Sequence, residues 1–182
     1  MIDHFPFLLG SLLLCACERT ATSSSPESKR TPAATASVGE SLDRLDLRSA
    51  VPLLPIMANH QKQNMRDHLL AVQEIIAGLA DEDFPGIERA ASRMGFSASM
   101  ARMCSHMGAG APGFAEQALR FHHMADTITS AAHDHDLGAV VVALSDTLRT
   151  CTSCHAAWKQ QVVDERTWEH VASASESGGV QQ

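Results

Sequence analysis

The chain has 182 residues, enough for one domain with extensions. A formal net charge of −7 argues against nucleic acid as a partner, and no stretch is long and apolar enough to span a bilayer. Aromatic content is 4%, with no tyrosine. Alanine and methionine supply much of the apolar surface, a mixture that suits packed helices more than strands.

In chain order the first feature is Phe5 to Leu14, an apolar run with the length of a signal-peptide core. It leads into Leu14-Cys15-Ala16-Cys17, with a leucine three residues before Cys17 and an alanine immediately before it. This resembles a bacterial lipoprotein box. The resemblance implies a signal peptide over 1–16, cleavage before Cys17, and lipidation of its thiol and new N-terminus. Cutting before Cys15 fits less well, because Leu14 is bulky where a small residue is wanted. Asp3 and His4 stand where a positive n-region is expected, and a plain signal peptide is the alternative. Either reading exports the chain to the periplasmic side of a bacterial membrane, lipid-anchored or soluble.

Glu18 to Glu40, rich in Ser, Thr, Ala and Pro, cannot bury enough apolar surface to fold alone and reads as a flexible tether. Ser41 to Leu54 carries scattered apolar residues and reads as a short helix or an extended lead-in. Residues 17–54 are therefore expected to be linker and lead-in before a helical domain over 55–171.

Four amphipathic helices are expected there. The first starts near Pro55, since Pro is tolerated in a first turn, and runs to about Ala80. Met65, His68, Val72, Ile75 and Leu79 recur on it in steps of three and four. Asp83 can cap a second helix from about Phe84 to His106, with Pro85 in its first turn. Ile87, Ala91, Met94, Ala98 and Ala101 form its seam, and Gly95 inside it costs about 1 kcal/mol against Ala, so a kink or break is expected there. Gly108 to Gly113 is a loop. The third helix runs from about Phe114 to His133. Asp136 can cap the fourth, whose seam is Leu137, Val141, Leu144, Leu148, Cys151, His155, Trp158 and Val162, and which is expected to continue to about Val171. Residues 172–182 read as a frayed polar tail. Short joints between such helices predict an antiparallel up-down-up-down bundle.

The fourth helix carries Cys151-Thr152-Ser153-Cys154-His155, the C-x-x-C-H signature of c-type haem attachment. Two thiols three residues apart on a helical turn can each add to one porphyrin vinyl group. The imidazole that follows then lies under the iron as an axial ligand. C-x-x-C also serves disulfide exchange and zinc binding. The redox motif, however, normally follows a strand at a helix N-terminus, and no strand pattern precedes Cys151. A structural zinc needs two further ligands, and there is no second pair of cysteines at that spacing. Cys104 reads as a small buried hydrophobe. His106, His122, His123, His133 and His135 read as half-buried or solvated histidines without a ligand role.

The run Leu148-Arg149-Thr150-Cys151-Thr152-Ser153-Cys154-His155-Ala156-Ala157-Trp158-Lys159 resembles the haem-binding helix of the cytochrome c′ family, as does the set of four helices with the motif in the last. The resemblance covers roughly 55–165 and is specific only at the motif. It implies an all-α, antiparallel four-helix bundle with one haem c held covalently by Cys151 and Cys154, and His155 as proximal iron ligand. In an antiparallel pair, residues level with His155 come from the middle of the first helix. Met65 is the expected distal ligand and His68 the alternative, while Met57 and His60 lie a turn or two too far along. The bland readings are a core methionine and a satisfied histidine at the seam edge. A methionine ligand favours ferrous iron and raises the potential, whereas two imidazoles lower it.

Three functions follow. The first is electron transfer through six-coordinate iron, with redox proteins as partners met through salt-sensitive contacts. The second is a high-spin protein of the cytochrome c′ type that binds nitric oxide or carbon monoxide. The third is a haem-free thiol-redox or interaction module. Nothing resembles a hydrolase triad, a phosphate loop or a carboxylate pair, so no enzymatic activity is expected. The family resemblance also implies a possible homodimer through first-helix faces.

Overall fold

Asp83, Ser97 and Asp136 each start a helix in the computed structural model, which describes residues 38–178. Each does so by accepting a backbone N–H three residues on, from Gly86, Met100 and Ala139 respectively. The expected signal peptide, Cys17 and most of the tether lie outside the described residues. Met1–Asp43 and Arg44–Gln182 form separate units. Helix α1 (Val38–Leu45) spans the boundary between them.

The second unit is all-α apart from one strand pair. In order it holds β1 (Ser49–Leu53), α2 (Pro55–Asp81), α3 (Phe84–Ser92), α4 (Ala98–Met107), α5 (Phe114–His133), α6 (Leu137–Ala157), β2 (Trp158–Val162) and α7 (Glu165–Gly178). The first and third expected helices form as α2 and α5. Pro55 opens α2, and Gly113, at φ 89°, opens α5. No described helix is long and apolar enough to cross a membrane.

The second expected helix is broken at Gly95 into α3 and α4. Its ends are held from α5. The His122 ring lies 2.7 Å from the Met94 carbonyl through Nδ1, and the Phe96 N–H donates to Asp126 Oδ1 at 3.1 Å. A Cβ on residue 95 would land on that Asp126 carboxylate, which is why glycine sits at the break.

The fourth expected helix ends earlier than its periodicity suggested. It stops at Ala157, not near Val171, and the chain turns extended through Trp158–Val162. Trp158 and Val162 keep the helical spacing of Cys151 and His155 but belong to β2. There Trp and the β-branched Val162 pair in parallel with β1, Ser49 opposite Trp158 and Leu53 opposite Val162. Trp158 is also fixed from α5, donating from Nε1 to Gln117 Oε1 at 2.7 Å and meeting Phe114 edge-on. The lead-in is thus a strand of the folded unit, with Val51 and Leu53 buried. Helix α7 occupies much of the stretch expected to be a polar tail.

Two apolar clusters result. The larger joins Ala71 and Ile75 of α2, Ile87 and Ala91 of α3, Phe121, Ala125 and Ile128 of α5, and Val140 and Leu144 of α6, with Cys151 packed against it. The smaller joins Val51, Leu53, Met57, Met107 and Phe114, covered by Trp158 and Trp168. Helices α5 and α6, α3 and α5, and α2 and α3 pack extensively, whereas α2 and α6 touch little despite sharing the larger cluster. The buried side of α6 is Val140, Ala143, Leu144 and Thr147, so Val141 and Leu148 of the expected seam are exposed instead. On α2, Met65 and Leu69 are likewise exposed outside the core.

Candidate functional site

Cys151, Cys154 and His155 occupy the last turns of α6. At 3.6 residues per turn they fall within a sector of about 100°, one face of the helix. Both cysteines are free and half-buried, and His155 is exposed. Burial pushes both thiols above their ordinary pKa, and Cys154 adds to the effect on Cys151. These thiols therefore stay protonated at neutral pH and are weak nucleophiles. They also sit at a helix C-terminus, where the negative end of the dipole disfavours a thiolate.

The other side of the site is set by the end of α6. Gln160, in β2, donates from its amide to the Ala58 carbonyl and to Gln61 Oε1, so this end lies beside the first two turns of α2. Met65 stands one turn further along, about 6 Å from Gln61 along the axis. It is 39% exposed. His68 is half-buried and committed to α5: its ring lies 4.8 Å from Phe121 and 5.7 Å, edge-on, from His122. Burial holds the His68 imidazole down at about 4, with His122 adding to the effect against a weaker opposing pull from Asp67. Met57 belongs to the smaller cluster, and His60 is exposed, within 3.3 Å of the Asn64 amide.

The sequence did not disclose a charged cluster at the same helix end. Arg48 donates to Asp46 through Nε at 2.9 Å, through Nη2 at 2.8 Å and through its backbone N–H at 3.2 Å. Its remaining terminal nitrogen reaches the carbonyl oxygens of His155, at 3.4 Å, and Trp158, at 3.5 Å. Lys159 donates to the Asp46 carbonyl at 3.0 Å and stands 3.7 Å from its carboxylate. The Arg48 guanidinium holds the Asp46 carboxyl well below the usual carboxylate range. The short D-x-R spacing is visible in the sequence, but its contact with a segment 107 residues away is not.

The remaining histidines are engaged separately. His122 is buried at the α3–α4 break, and its imidazole is pushed below its ordinary pKa, chiefly by burial. His123 stacks on Phe96, His133 faces Glu88 at 3.3 Å, and His135 stacks on Phe84. Among the described residues no three His, Cys, Asp or Glu side chains converge as a metal site. Cys104 is buried at 3% exposure, which raises its thiol pKa.

The donor set fits a covalently held haem. Two unpaired thiols and an exposed imidazole share one helical face, the donor types and spacing that covalent haem attachment needs. Cys151 and Cys154 would supply the thioethers, His155 one nitrogen ligand to the iron, and Met65 Sδ, or failing it a His68 nitrogen, a second ligand. No family model, no curated protein and no solved structure matches this chain, so its own residues carry the reading.

Proposed function

We propose that this chain is an exported c-type cytochrome that transfers single electrons, similar to the cytochrome c′ family in its helical arrangement. One observation carries the reading: Cys151, Cys154 and His155 share one face at the end of α6, and the strand that follows is tied to the first turns of α2 through Gln160. When bound, haem c supplies a one-electron iron couple. Cys151 and Cys154 would hold it through thioethers, and His155, carried on the same helix, would supply a nitrogen ligand to its iron. Met65 offers a thioether on the open side of α2, while His68 is already occupied against Phe121 and His122.

In this reading α2, the α3–α4 pair, α5 and α6 form the four-helix bundle, and β1, β2 and α7 are additions to it. Lipidation at Cys17 tethers the protein to the periplasmic face of the membrane. Its acidic surface suits redox partners with basic patches.

The commitment of His68 to α5, together with the exposure of Met65, supports a second reading. In it the distal position stays open and takes nitric oxide or carbon monoxide. A thiol-redox role is the weaker alternative, because both thiols are raised in pKa and lie at a helix C-terminus.

The test is the mass and absorption spectrum of the protein matured in a host with haem-attachment machinery. The expected result is one added haem, lost when Cys151 and Cys154 are both replaced by Ala. A colourless protein of unmodified mass rejects the proposal.

A further inference from the structure

A charged cluster sits at the end of α6. Asp46 and Arg48, just before β1, meet Lys159 of β2, and Arg48 alone of the three reaches the backbone of His155 and Trp158. The last carbonyls of a helix have no partners within it, and the negative end of its dipole attracts cations. Arg48 meets that need at the residue whose side chain is the proposed iron ligand. Asp46 holds one edge of the guanidinium through Nε and Nη2, which leaves Nη1 to reach the His155 carbonyl. One carboxylate between two cations leaves the cluster with one net positive charge.

We infer that Arg48 is a positioning residue for the haem iron: it fixes the C-terminal end of α6 under His155 and places a positive charge there that raises the reduction potential. This rests on the proposed haem ligation. Ferric iron carries one more positive charge than ferrous iron, so a fixed cation beside the proximal ligand disfavours the ferric state. The contact is half-exposed, with 41% of the Arg48 side chain and 27% of the Asp46 side chain accessible, so salt weakens the effect without abolishing it.

The two partners of the ion pair make opposite predictions. Arg48→Gln leaves Asp46 balanced by Lys159 alone and removes the net positive charge. Asp46→Asn removes the negative charge and keeps both cations. Equilibrium redox titration of the haem-loaded protein, with dithionite as the electron donor and ferricyanide as the acceptor, reads the outcome. Arg48→Gln is expected to lower the midpoint potential and Asp46→Asn to raise it. Arg48→Lys should stay close to the parent, and both shifts should shrink in high salt.

A merely structural role would loosen the helix end in both variants and move the potential in one direction. Shifts of the same sign, or no shift in Arg48→Gln, overturn the inference. Circular dichroism of each variant reports the fold independently. The haem mass of the parent protein separates the two levels: a loaded parent with same-sign shifts refutes Arg48 alone, whereas an unloaded parent refutes the ligation reading and this inference with it.

Discussion

Met65→Ala separates a ligand from a packing residue, because the two roles differ in energy as well as in spectrum. A fully buried methionine is worth about 1.5–3 kcal/mol in transfer free energy, and truncating one to Ala costs about 2–5 kcal/mol once the cavity is included. Met65 is 39% exposed, so about three fifths of its surface is covered. A partly open site also collapses more easily than a core site. The expected stability loss is therefore about 1–2 kcal/mol, measured by guanidinium denaturation followed by circular dichroism. Met94, with 0% exposure, is the control, and its truncation should cost about 2–5 kcal/mol. The spectra should show the reverse ranking. Met65→Ala should convert ferric low-spin iron to high-spin and open the ferrous form to rapid carbon monoxide binding, while Met94→Ala leaves both unchanged. An unchanged Met65→Ala spectrum alongside a spin-state shift in His68→Ala would refute the ligand order. A loss near that of Met94→Ala with no spectral change would show that Met65 is a packing residue.

Leu53→Ala should cost about 3–5 kcal/mol, because the side chain is fully buried in the smaller cluster, while Leu47→Ala, at 94% exposure, should change stability by less than about 0.5 kcal/mol. Equal effects in a denaturation series would contradict a structural role for the lead-in strand. Gly95→Ala and Asp126→Ala should each cost about 1 kcal/mol by disturbing the same bond to the Phe96 N–H, so the double variant should cost much less than their sum. Strict additivity in a double-mutant cycle would sink that account of the break. Burial lowers the His68 imidazole in the fold from 6.5 to about 4, so below 6.5 the unfolded chain binds the extra proton first. Stability is then complete above about pH 6.5 and falls toward pH 4, by about 2 kcal/mol from this group, with His122 acting in the same direction. His68→Gln should flatten that part of the pH–stability curve, and a curve of unchanged slope would refute the assignment.

The parts of the fold written in local chemistry were legible. Pro55, Asp83 and Asp136 announce helix starts through the geometry of a first turn and of a capping carboxylate, and each is where the chain places it. Gly95 announces a weak point, though not what fills it. The partner that takes the Phe96 N–H is Asp126, 30 residues away. The end of α6 was hidden by coincidence of spacing. Trp158 and Val162 continue the three-and-four rhythm of Cys151 and His155, and only a strand supplied from residues 49–53 makes the extended conformation the better one. Parallel pairing across more than a hundred residues leaves no local trace. The face of α6 was also rotated from expectation, because apolar periodicity marks a stripe without saying which edge faces the core. The same ambiguity left Met65 at the edge of its stripe, outside the centre.

That early end of α6 matters to the site more than any other departure from periodicity. A helix continuing to residue 171 would carry its carbonyls past His155 in an unbroken ladder and leave nothing for Arg48 to meet. Stopping at Ala157 exposes the last turn and turns the chain alongside β1, which brings Arg48 and Asp46 to His155 and Gln160 to Gln61. Cys151 is held by the larger cluster and Trp158 by the smaller, so His155 stands at the joint between two packed regions. The same joint ties Ala58 and Gln61, in the first turns of α2, to the strand that follows α6. Ligands carried on helices and braced from both sides hold their geometry better than ligands on loops. Rapid electron transfer requires a site that changes oxidation state without moving its ligands, and under the proposed haem ligation the strand pair would supply that bracing.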